Sequence, residues 1–167
     1  MKELKIFESH AHYDDEAFDL DRDELLSDTM REMVVAEKDE LMRQAYSEML
    51  QECLATPEKR MWYALWQMEL KNATGTIVGN FCFKGLDANG SIEIGYGLRD
   101  GFCGNGYMTE AIKAVSEWAL MQENVIVIEA ETTEDNKKSQ KVLLNAGFKF
   151  SGKYGKEGPR YYLRKDF

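Results

Sequence analysis

Histidine, proline and cysteine are scarce in this chain of 167 residues, with two, two and three copies. Cys53, Cys82 and Cys103 are odd in number and form no Cys-x-x-Cys pair. That argues against a disulfide framework or a structural zinc and for a reducing cytosol. No apolar run approaches the roughly 18 residues of a membrane span, and MKELKIFESH carries no apolar targeting core and no small-residue cleavage site. A cytoplasmic protein with no membrane partner is therefore expected.

What is present is a globular balance, 44% hydrophobic and 31% charged, at a length that suits one domain. The net charge of −9 is localised. Residues 1–40 hold 14 acids against 5 bases, and the remainder is neutral. Residues 136–165 carry nine Lys or Arg and the single acid Glu157. The acidic face repels phosphate backbones and disfavours nucleic acid, whereas the late basic stretch suits one small anionic ligand or is simply solvated.

Residues 15–56 read as helical, with Asp19 or Asp21 as a cap and apolar residues from Leu25 to Val34 and from Leu41 to Cys53 at spacings of three and four. Pro57 marks a boundary. MWYALWQMEL (61–70), the turn 71–75 and TIVGNFCF form a hairpin signal. A turn at Asp87–Gly90 leads to a third strand, SIEIGYGL. A glycine-rich loop, Gly101 to Gly106, opens a helix to about Gln122, and Val125–Ile128 reads as a short buried strand. A helix from Asp135 or Asn136 ends at Gly147, and FKFSGKY and PRYYLRKDF close the chain as strands. The expected class is α+β: a mixed, mostly antiparallel central sheet flanked by helices.

The strand–loop–helix at 91–120 reads either as a tight turn or as an anion site, in which glycines allow close approach and the free amides of a helix start converge. No P-loop lysine follows, and the spacing is not Gly-x-Gly-x-x-Gly. The segment Cys103-Gly104-Asn105-Gly106-Tyr107-Met108-Thr109-Glu110-Ala111 resembles the pyrophosphate loop of the GNAT N-acetyltransferases. Ile92 to Tyr96 is similar to that family's fourth strand, and Asn136-x-x-Ser139 with Leu143 to Phe148 to its Asn-x-x-Ser…Gly-Phe element. Cys103 replaces the usual Gln or Arg, Met108 the usual Gly or Ala, and Leu143 the tyrosine that many members use as an acid.

The resemblance implies acetyl-CoA as acetyl donor, no metal, and a small-molecule or peptide primary amine as acceptor, attacking the thioester directly. It implies catalytic roles for Glu93 as base, with Glu131 in reserve, and for Ser139 at the leaving thiol. Cofactor contacts would come from Leu98, Cys103, Gly104, Asn105, Gly106, Tyr107, Met108, Thr109, Asn136 and Ser139. A monomer or homodimer is expected. Trp62, Tyr63, Trp66 and Tyr96 line an acceptor pocket or pack in the core, with core the favoured use. Core is also expected for Cys53, Cys82 and the methionines 30, 33, 42 and 49. Cys103 is either the most reactive thiol, shielded by CoA, or inert beneath the loop.

Residues 3–27 resemble the opening of TatD-like metal-dependent hydrolases, whose first barrel strand ends in His-x-His, here His10 and His12. That barrel needs some 200 residues and further ligands, so residues 1–29 are expected to be an acquired leader on a single domain, with LKIF serving as a first strand. The alternative to an enzyme is a non-catalytic CoA-binding sensor or scaffold, which the Leu143 and Cys103 departures favour.

Overall fold

The computed structural model describes residues 4–8, 31, 34–73 and 75–165. The expected caps Asp19 and Asp21, the pair His10 and His12, and Met30 and Met33 lie outside them.

The strands are β1 (Leu4–Glu8), β2 (Leu65–Leu70), β3 (Ile77–Leu86), β4 (Ser91–Leu98), β5 (Val127–Glu131), β6 (Lys149–Tyr154) and β7 (Pro159–Arg164). Among the described residues, 31 and 34–36 are helical, and longer helices are α1 (Glu40–Ala55), α2 (Tyr107–Met121) and α3 (Lys137–Asn145), with a 3-10 turn at Pro57–Trp62. The strands form one seven-stranded sheet in the order β1-β2-β3-β4-β5-β7-β6. Among the described residues only β4 and β5 pair in parallel, and every other neighbour in the sheet is antiparallel. The α+β class with a mostly antiparallel sheet is thus the observed one, and LKIFE supplies its first strand.

Period-two alternation sorts β3 and β4 into two faces. Phe81, Phe83, Ile92 and Ile94 are buried together with Ile128 and Ala130 of β5. Against them lies α2, whose buried residues Met108, Ala111, Ile112, Val115, Ser116 and Ala119 recur at three and four and form one stripe. Trp118 extends that layer, packing on Trp62, Trp66 and Phe83 with ring centroids 5.7, 5.7 and 6.4 Å away. Each fully buried Phe contributes about 1.5–3 kcal/mol by leaving water. The opposite face is covered by α1, where Leu50 and Cys53 bury against Ala64.

Two expected boundaries shift. Met61 and Trp62 belong to the 3-10 turn, because Pro57 sits at its first position and Tyr63 N–H closes on Arg60 O at 2.9 Å. The fifth strand is Val127–Glu131 rather than Val125–Ile128. Its acids Glu129 and Glu131 face Arg160, which satisfies them laterally.

Candidate functional site

The parallel pair β4–β5 is joined only at Ser91↔Val127, Ile92↔Ile128 and Glu93↔Glu129. Beyond Glu93 the two strands part. From Ile94 to Leu98, β4 keeps its pairing to β3, ending at Gly79↔Leu98, while its other edge faces an opening. A Cβ on Gly79 would stand 2.3 Å from Gly97 O, so the glycine lets β3 close tightly on β4 at this end.

The loop after β4 lies at the mouth of that opening. Arg99 N–H donates to Val78 O at 2.8 Å, and Asn105 Nδ2 donates to Phe102 O at 3.2 Å, which ties the loop down at both ends. Gly104 and Gly106 have φ of +86° and +83°, and a Cβ at either would meet nothing within 4 Å. Left-handed backbone here turns successive amides to one side. The first bond of α2 runs from Glu110 N–H to Gly106 O at 3.0 Å. The N–H groups of Cys103 through Thr109 find no acceptor among the described residues. Cys103, Gly104, Asn105 and Gly106 are exposed, Tyr107 and Thr109 half-buried. The Met108 side chain sits in the core, so only its backbone reaches the loop's concave side. The arrangement is able to hold one compact anion on backbone donors and a helix dipole.

Across the opening, α3 begins at Asn136, whose Oδ1 accepts from Ser139 N–H at 3.1 Å. This is an N-cap that any helix benefits from. Tyr96, near the end of β4, reaches over to the same turn: its hydroxyl lies 2.9 Å from Ser139 Oγ and 3.2 Å from Ser139 O. Burial pushes the Tyr96 phenol up to about 12, although the Ser139 hydrogen bond pulls the other way. Leu143 is fully buried in the core and presents no polar atom to the opening.

The acids form a network on the α1 side of the sheet. Glu93 is clamped between two cations: Lys84 Nζ donates to Oε1 at 2.5 Å and Arg160 Nη2 to Oε2 at 2.8 Å. Arg160 also approaches Glu129 at 3.4 Å and Glu131 at 3.9 Å. Burial works against the Lys84 charge, but the hydrogen bond and charge of Glu93 outweigh it and raise the ammonium above its ordinary range. Glu131 is occupied differently. Its Oε1 accepts from the N–H groups of Glu157 and Gly158, the latter at 3.0 Å. Burial opposes its charge, yet these amides and Arg160 hold it below the usual carboxylate range. Glu131 is therefore an anchor for the β6–β7 turn and a weak base.

Between α1 and the sheet lies a cavity of about 960 Å³. Leu41, Met42, Met49, Tyr63 and Leu65 give it apolar walls, and Glu48, Glu52, Lys84 and Glu157 add charge. Gly95, Tyr96 and Gly97 also line it, so it reaches the open end of β4. A smaller recess of about 330 Å³ shares Tyr63 and Lys84 and contains Glu93 and Glu129. Core packing was the expected use of Met42 and Met49: Met49 lines this cavity and also packs against the cluster of Leu50, Cys53 and Ala64, whereas Met42 lines the cavity and is exposed. Cys82 also lines it, and burial, partly offset by Lys84 and the Gly95 N–H, pushes its thiol up. Of the four candidate aromatics, Trp62 is buried, Trp66 stacks on Phe81, Tyr63 borders the cavity, and Tyr96 stands on the core face in register with Phe81, turned toward Ser139.

Sequence reading missed the two cations on Glu93, since the Arg160 contact joins residues 67 apart, and it named Tyr96 only as a pocket-lining or core aromatic.

The sequence model of the acetyltransferase (GNAT) domain matches residues 10–149 and so covers most of residues 3–27, whose expected likeness to TatD-like hydrolases these matches do not show. A curated relative from Bacillus subtilis (strain 168), the uncharacterized N-acetyltransferase YjdG, is 42% identical over 73 residues, 43% of this chain and 44% of that protein. The chain thus matches less than half the length of that relative. Among solved structures, the spermidine N-acetyltransferase of Vibrio cholerae in complex with CoA and spermine superposes with a TM-score of 0.62 at 14% identity, covering 96% of this chain and 95% of that one. The ribosomal-protein-S5-alanine acetyltransferase of Vibrio fischeri does so with 0.62 at 16%, covering 98% and 92%.

Proposed function

The chain belongs to the GNAT acetyltransferase family, and from that premise we propose that it transfers an acetyl group from acetyl-CoA to a primary amine by direct attack. The observation that carries this reading is the parting of β4 from β5 beyond Glu93 beside a loop with seven unmatched amides, Cys103 to Thr109. The open space over Gly104 and Gly106 fits a diphosphate, which would fill the room a side chain would otherwise take.

When bound, acetyl-CoA supplies an activated thioester. The amides of Cys103, Gly104, Asn105, Gly106, Tyr107, Met108 and Thr109 hold its pyrophosphate. The free edge of β4 up to Leu98 offers backbone groups to the pantetheine arm, and Asn136 and Ser139 flank the thiol end. The α1 cavity receives the amine, and its acids Glu48, Glu52 and Glu157 favour an approaching ammonium. Glu93 accepts the ammonium proton through water, since it lines the smaller recess beside Lys84 and not the larger cavity. Ser139 turns its hydroxyl to the leaving sulfur.

One domain is proposed for the whole chain: Leu4–Glu8 pairs with β2 along five residues, which supports counting it with the sheet. The Vibrio cholerae protein is a spermidine N-acetyltransferase and the Vibrio fischeri one a ribosomal-protein-S5-alanine acetyltransferase; a small or peptide amine is proposed here. A second reading, a CoA-binding module without turnover, is favoured by the buried Leu143 and the doubly paired Glu93. Calorimetry with acetyl-CoA tests cofactor binding, and thiol release with a panel of amines separates the readings. Binding without release from any amine would support the second.

A further inference from the structure

The buried Leu143 leaves the departing thiolate without a phenol from α3, yet a phenol does reach that turn from the opposite side of the opening. Tyr96 comes from β4, three residues beyond the last β4–β5 pair, and its hydroxyl lies 2.9 Å from Ser139 Oγ, nearer than the Ser139 carbonyl oxygen at 3.2 Å that competes for the same phenolic proton. The contact bridges the two walls of the opening where the reacting end of the donor is placed by the reading above, on which this inference rests. We propose that Tyr96 is a positioning residue that donates its phenolic proton into a lone pair of Ser139 Oγ and so aims the single Ser139 O–H at the thioester sulfur.

A serine hydroxyl has one proton and two lone pairs. With Tyr96 donating into one lone pair, the Ser139 proton cannot turn back toward Tyr96 and is free to point into the opening. Donation also polarises the serine, so that its own hydrogen bond strengthens. The high phenol pKa, about 12, fits a lasting donor rather than a proton source. The reaction balances without ionising either hydroxyl. The amine nitrogen forms its bond to the carbonyl carbon, the C–S bond breaks with its electron pair left on sulfur, and the Ser139 hydrogen bond stabilises that pair. The proton given up by nitrogen reaches sulfur through solvent.

Tyr96→Phe retains the ring beside its register partner Phe81 and is expected to fold. Two measurements test the inference. In turnover, Tyr96→Phe should lower kcat roughly 10- to 100-fold, the range for a hydrogen bond to a charged group, and leave the KM for acetyl-CoA nearly unchanged. Ser139→Ala should match it, and the double variant should be no slower than Ser139→Ala, since Tyr96 acts only through that hydroxyl. In binding, calorimetry with CoA and with desulfo-CoA should show a preference for CoA that Tyr96→Phe and Ser139→Ala both abolish. Unchanged kcat in Tyr96→Phe, multiplicative losses in the double variant, or an intact CoA preference would overturn the positioning role. If the parent protein binds CoA but acetylates no amine, the binding arm still decides the role of Tyr96. If it binds no CoA, the functional reading itself falls.

Discussion

Lys84 Nζ and Arg160 Nη2 grip opposite oxygens of Glu93 at 2.5 and 2.8 Å, so the carboxylate proposed as the base is also the hub of an ion network. The Glu93 side chain is 24% exposed, open enough for a water to reach it. The clamp fixes the oxygens in place, which suits proton transfer to a positioned group, and it ties β3, β4 and β7 together. Glu93→Gln should retain much of the geometry while losing the charge. The expected result is a fall in kcat of about 10²- to 10⁴-fold with acetyl-CoA affinity nearly intact in calorimetry. Equal losses in both would remove Glu93 from the base role.

Gly104 tests the loop. At φ +86° an alanine strains the backbone by about 1–2 kcal/mol, but its Cβ meets nothing within 4 Å in the free protein. Gly104→Ala should therefore lower the melting temperature by only about 2–8 °C and weaken CoA binding about tenfold or more, equivalent to about 1.4 kcal/mol. A variant that binds CoA like the parent would show that the space over Gly104 is not where the pyrophosphate rests.

Glu131 sets a pH dependence. Its folded pKa is lowered from 4.5, so the folded state favours the carboxylate, and the stability it contributes is present above about 4.5 and lost as pH falls through the lower folded value. Glu131→Gln keeps one acceptor oxygen and gives up the charge. Its melting temperature should lie below the parent's at pH 7, and the gap should narrow as pH falls below 4.5. A gap that stays constant down to pH 3 would assign the effect to packing instead.

Local features were legible in the residues themselves. SIEIGYGL is β4 residue for residue, and α2 begins directly after the glycines of the loop. Of the two helix starts expected at Asp135 or Asn136, Asn136 is the cap of α3. Features that depend on lateral pairing were hidden. Hydrophobicity pointed to Val125–Ile128, but the strand runs on through Glu129 and Glu131 because Arg160 on β7 neutralises them. The cations on Glu93 emerge only once β3, β4 and β7 lie side by side. Met42 and Met49 have helical spacing whether they face a core or a cavity, so periodicity alone did not separate the two.

The three thiols should differ sharply in reactivity. Cys103 is exposed at the start of the glycine loop, Cys53 is buried against Ala64, and Cys82 is half-buried beneath α1 with its thiol pushed up. Access favours Cys103, whereas a raised pKa lowers the thiolate fraction of Cys82. Brief alkylation of the free protein should label Cys103 first, Cys82 slowly and Cys53 least. If the amides of residues 103–109 hold a pyrophosphate, bound CoA covers this thiol and places negative charge beside it. Saturating CoA should then slow labelling of Cys103, and protein alkylated there should bind acetyl-CoA more weakly. Peptide mass spectrometry after a short pulse of reagent measures all three sites at once. Slow labelling of Cys103 in the free protein would show a packed, inert thiol, and an equal rate with and without CoA would place the cofactor away from this end of the loop.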